Sequence, residues 1–144
     1  MSRAEHVIAM ALPFVWLGLV AGISAIETPL KFRAPGMTTP LALGIGRLVF
    51  RALNAVELVL AGVLAIVIVH TARDWPLALF CVIAALLLVQ VFVLRPRLDV
   101  RAVRVIAGDD APPSRLHVAY IALEGAKLVL LPLLGAGLAW RWLG

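Results

Sequence analysis

The 144-residue chain holds one cysteine, one tyrosine and three histidines, and only eight acidic residues stand against thirteen lysines and arginines. Each scarcity excludes something. A lone Cys81 rules out an internal disulfide and leaves no basis for a cysteine-built metal site. Haem ligation by two histidines within a helical bundle needs them at matching depth. His6 and His70 fall toward one end of the apolar runs and His117 toward the other, so no cofactor is expected. Charge is scarce as well: 15% of residues are charged, against roughly 25% in soluble domains.

What is abundant is apolar sequence, 63% of the chain, with a mean hydropathy of +1.05. It is gathered into four runs, 6–26, 48–70, 76–94 and 116–140. Each is close to the roughly twenty residues that cross a 30 Å hydrocarbon core as helix. The runs lack the period-two alternation of a membrane barrel, and backbone polar groups in lipid must pair within their own segment. The expectation is one all-α domain, an integral membrane antiparallel four-helix bundle. Its connections are 27–47, the short turn "TARDWP" and 95–115. The first run exceeds the about 7–15 apolar residues of a signal peptide, and Arg3 before it is offset by Glu5, so it reads as a retained span.

The basic residues set orientation. Lys31, Arg33, Arg47, Arg51, Arg95, Arg97, Arg101, Arg104 and Arg115 fall on one side, and Arg3, Arg73 and Arg141 on the other. The positive-inside rule then puts both long connections in the cytoplasm and both termini outside. Trp75, Trp140 and Trp142 form an aromatic belt at the outer interface. The expected location is a bacterial inner membrane, with the lipid bilayer as first partner. A net charge of +5 distributed between spans serves topology and lipid headgroups, so nucleic acid is not expected. Between Arg95 and Arg104 the sequence fits a short interfacial helix or a solvated loop.

Polar residues inside the spans point to a site, because a charge at mid-membrane costs about 2.5–3.5 kcal/mol on insertion scales. At 100° per residue, Arg47, Arg51, Asn54 and Glu57 lie within about 120° of one another on the second span. His117, Tyr120, Glu124 and Lys127 lie within about 80° on the fourth. Glu57 and Glu124 are each roughly 14 Å in from the basic clusters at 1.5 Å per residue. The two stripes are expected to face each other and line a cavity that opens inward, with Gln90 of the third span contributing. Interhelical pairing that only fixes register is the plainer reading, but eight side chains exceed what register needs. Lysine and arginines beside the carboxylates argue against a metal.

At the end of the first span stands "IETPLKF", residues 26–32. Pro29 removes a backbone donor and biases Thr28 away from helix, so the span is expected to end or kink at Thr28. Glu27 would then cap the cavity mouth, with Arg47, Arg51 or Arg115 as partners, and Lys31, a further cavity-lining candidate, would turn along the membrane surface.

Three functions follow from this composition of groups. The first is proton-linked binding or transport of a small anionic or zwitterionic solute by a homo-oligomer. Glu57, Glu124 and His117 would carry protons, and Arg47, Arg51 and Lys127 would be counter-charges. The second is an enzyme. "RLVFRALNAVE" resembles a stretch of the membrane-associated eicosanoid and glutathione metabolism family, four-span trimers in which arginine and glutamate engage glutathione. That resemblance implies a membrane-embedded transferase or isomerase; the spacing of Asn54 and Glu57 matches, and Arg51 stands one residue closer to Asn54 than in the family. The third is an accessory subunit of a larger membrane complex. Over most of the chain, "GISAIETPLKFRAPG", "LGIGRLVFRALNAVE" and "HVAYIALEGAKLVLL" are similar to a group of small uncharacterised four-span bacterial membrane proteins. This similarity implies the same architecture and brings no activity with it.

Overall fold

A computed structural model describes residues 2–110, 112 and 114–143, and every regular element among them is helical. There are four long helices: α1 (Arg3–Lys31), α2 (Thr39–Thr71), α3 (Trp75–Ile106) and α4 (Arg115–Leu143). Each is long and apolar enough to cross a membrane. Their starts carry the expected signals. Ser2 and Glu5 close a capping box on α1, and the Thr38 hydroxyl accepts from the Leu41 N–H at 3.4 Å to cap α2. Pro40 and Pro76 occupy first turns, where no helical donor is lost.

Each helix packs on the next and α4 returns to α1, closing an antiparallel ring. The His6 ring meets Trp142 edge-on at 4.8 Å, and Arg141 pairs with Asp74. The start of α1 and the end of α4 therefore share one end of the bundle with the α2–α3 turn, here the terminal end. The connection 32–38 and the described residues 107–110, which follow α3, lie at the opposite, basic end.

Two helices run past points where the sequence suggests a break. α1 does not end at Thr28. Residues Ala21–Glu27 form a π-helical turn, in which the Thr28 N–H reaches five residues back to the Ile23 carbonyl. The Thr28 hydroxyl donates to that same carbonyl at 3.0 Å. The widened turn makes room for the Pro29 ring, so Thr28 keeps helical angles and the helix continues to Lys31. α3 repeats the device: Gln90–Leu94 is π-helical, the Arg95 N–H bonds the Gln90 carbonyl, and the helix passes Pro96 to reach Ile106. The segment open to helix or loop is thus a continuation of α3. At 1.5 Å per residue its 32 residues span about 48 Å, well beyond a hydrocarbon core.

The distribution of side chains is inverted relative to a soluble bundle. Large apolar residues such as Val59, Ile66, Phe92, Val118, Val129 and Leu133 are more than half exposed, while Asn54, Glu57, Gln90, Glu124 and Lys127 are buried. In water that exposed face would be untenable, and against lipid it carries no penalty. Toward the terminal end the interior is dry: Trp16, Val20, Leu64, Ile68, Leu134 and Leu138 have no exposure. There α1 and α4 approach closely at Gly135, where a Cβ would collide with the Phe14 ring, and the Trp75 ring fills the space beside Gly137.

Candidate functional site

The polar residues of α2 and α4 come together as helical spacing requires, in two connected layers. The deeper layer is closed. Lys127, with no exposure, donates to Glu57 Oε1 and, at 2.8 Å, to Glu124 Oε1. The Trp16 indole N–H donates to Glu57 Oε1 at 2.7 Å. Gln90 donates to Glu124 Oε1 at 2.8 Å, and the Ser24 hydroxyl donates to Glu124 Oε2 at 2.6 Å. Every helix contributes, so this one cluster fixes the register of the whole bundle. Two carboxyls face one ammonium. Glu57 Oε2 and Gln90 Oε1 are buried acceptors without a donor.

One turn toward the basic end, the Tyr120 hydroxyl donates to Asn54 Oδ1 at 3.2 Å. The Arg95 guanidinium lies 4.4 Å from the Tyr120 ring centroid and 4.9 Å from that of Phe50. Such stacking holds the arginine plane while leaving its edge N–H groups to other partners. Asp99 sits between two arginines, 3.7 Å from Arg47 Nε and 3.8 Å from Arg95. These distances make ion pairs but exceed hydrogen-bond length. The Nε donors of Arg47 and Arg95 are accordingly buried without an acceptor.

Above these groups is a cavity of about 470 Å³, bounded by all four helices. Its polar wall includes Lys31, Arg47, Arg95, Asp99, Arg101, His117 and Glu124, and Tyr120 closes it below. Its apolar wall includes Phe32, Leu43, Leu98, Ala102, Ile121 and Leu128. The space exists because past Val20 hardly any backbone of α1 approaches the other helices. The π turn begins at that point. Glu124 belongs to both layers: it lines the cavity and accepts from Lys127 beneath it.

Of the residues singled out by sequence, Lys31, Arg47, His117, Tyr120 and Glu124 line the cavity, whereas Glu57, Gln90 and Lys127 lie buried beneath it. Asn54 is buried and Arg51 exposed; both border a separate groove between α2 and α3. Arg51 stands at the edge of its stripe, and that edge turns outward. Glu27 pairs at 3.5 Å with Lys31, one turn on, an arrangement the continuous helix makes available. It thereby holds the Lys31 ammonium over Gly46 rather than engaging the arginines across the mouth. The sequence reading passed over Trp16, Ser24, Arg95 and Asp99. An indole N–H within an apolar span has to find an acceptor, and Asp99 is the one acid within 95–104; both were signals open to use. Among the described residues no three histidine, cysteine or carboxylate side chains converge as metal ligands.

Comparison with protein-family models, with curated proteins and with solved structures finds no match, so the two resemblances drawn from the sequence rest on the quoted residues alone.

Proposed function

We propose that the chain is a multi-pass protein of the bacterial inner membrane that binds a small anionic solute together with a proton. Both termini lie outside and the cavity opens to the cytoplasm. Positive charge concentrates at the cavity's end of the bundle, and that distribution supports the orientation. The anion meets Arg47, Arg95 and Lys31, on a wall where cationic side chains outnumber the carboxylates Asp99 and Glu124.

The observation that carries the proton is the position of Glu124 between cavity and buried cluster. With both carboxyls ionised, Glu57, Glu124 and Lys127 sum to one negative charge around a fully buried ammonium. One proton on Glu124 leaves a neutral Glu57–Lys127 pair. An anion arriving beside Glu124 favours that protonated state by Coulomb repulsion, so anion and proton enter together. The dry packing from Trp16 to Leu138 closes the far side. Passage across the membrane therefore requires that half to part, as alternating access does.

The test is proton uptake on anion addition to purified protein in weakly buffered nanodiscs, read with a pH-sensitive dye. Uptake of about one proton per bound anion is expected, and Glu124→Gln should abolish it while leaving binding intact. Binding without any proton uptake by the unmodified protein would overturn the coupling. Reconstituted vesicles then show whether the pair is carried across.

A further inference from the structure

The cavity combines features that a small hydrophilic anion does not call for. Its walls are predominantly apolar, with charged side chains from all four helices set among them. It is also open sideways. Ala25 and Pro29 on α1 and Ile121 and Gly125 on α4 are wall residues that are also exposed on the outer face of the bundle. Ile121 is 56% exposed. A Cβ placed on Gly125 would meet nothing within 4 Å, so the gap between α1 and α4 is unobstructed there. Towards mid-bundle the gap is floored by Leu128, and the Ser24–Glu124 hydrogen bond crosses it. A volume of about 470 Å³ falls within the roughly 300–1,000 Å³ of small-molecule sites.

We infer that the ligand is a single-chain anionic amphiphile, a carboxylate or phosphate bearing one alkyl chain, which enters from the lipid through the gap between α1 and α4. This rests on the anion-binding reading above and specifies its substrate class. The headgroup meets the guanidinium groups of Arg47 and Arg95 and the Lys31 ammonium on the cavity wall, at the depth of the bilayer interface. The chain runs past Ile121 and Gly125 over Leu128 into the hydrocarbon. A lateral route spares the chain from crossing water, and the headgroup remains at the level it occupies in the leaflet. The π turn before Pro29 holds the far wall away from α4 and keeps the gap open.

The experiment is native mass spectrometry of the protein with five probes: dodecanoate, dodecyl phosphate, dodecanol, dodecyltrimethylammonium and acetate. The two long-chain anions are expected to bind. The alcohol, the cation and acetate should bind at least about tenfold more weakly, the scale of one charge-assisted hydrogen bond or several buried methylenes. The tighter of the two anions identifies the headgroup. Arg47→Gln should weaken both anions about tenfold, whereas Arg51→Gln, one turn away and outside the cavity, should not. Gly125→Leu places a side chain across the gap and should reduce dodecanoate binding without affecting folding. Acetate binding as tightly as dodecanoate would overturn the amphiphile and keep the anion site. Dodecanol binding as tightly as dodecanoate would remove the headgroup's role. A folded protein that binds no anion at all would remove both readings.

Discussion

At the terminal end of the bundle, Trp16, Leu64, Ile68, Leu131, Leu134 and Leu138 interlock with no exposure. At the basic end the same four helices surround a cavity of about 470 Å³ and bury two carboxyls, a lysine, a glutamine and an asparagine beside it. The backbone is helical in both halves. What differs is how closely α1 and α4 approach. Glycines at 135 and 137 let large rings sit against the α4 backbone in one half, and a π turn from Ala21 parts the helices in the other. Close approach yields a dry seal held by dispersion. Separation yields a pocket, at the cost of polar groups that then need one another. Lys127 and Glu57 stand at the boundary.

The comparison breaks most severely there. Lys127→Met leaves two buried carboxyls without their cation, and we expect a loss of about 3–5 kcal/mol, read as detergent-solubilised thermal unfolding. Adding Glu57→Gln and Glu124→Gln to that variant should restore much of the loss, because no charge is then left stranded. Next comes truncation in the dry half. Leu134→Ala should cost about 2–5 kcal/mol, whereas Ile121→Ala at the open cavity wall should cost under about 0.5 kcal/mol. Equal losses at the two positions would mean that the halves are packed alike. Tyr120→Phe removes the donor to Asn54 and should cost about 1–3 kcal/mol, measured the same way. Arg51→Gln is the smallest effect, within about 0.5 kcal/mol, since the side chain lies outside both layers.

Much of the site was legible as residue spacing. Asn54 and Glu57, three apart, and Tyr120, Glu124 and Lys127, four and three apart, share helix faces whatever the tertiary arrangement. Two polar faces within apolar helices have nowhere to turn but toward each other. Arg51 shows the limit of such arithmetic. A stripe has an angular width, and only packing decides which edge faces inward. Arg95 and Asp99 were harder to place for a different reason. Proline at 96 after an apolar run is a plausible end for a helix, and only the π turn at Gln90–Leu94 lets α3 carry both residues on to Arg47. Lys31 was singled out from the sequence, and it reaches the cavity because α1 passes Pro29.

The sequence by itself determined four long apolar helices, their alternation of direction and the polar faces on the second and fourth. Runs of about twenty apolar residues have few conformational options, and helical periodicity is local. Tertiary structure alone decided that two helices pass their prolines, that Trp16 and Ser24 complete the buried cluster, and that α1 stands away from α4. The cluster joins side chains that no single stretch of chain contains, and each π turn depends on which of several nearby carbonyls accepts the N–H ahead of the proline, a choice that residue spacing does not make.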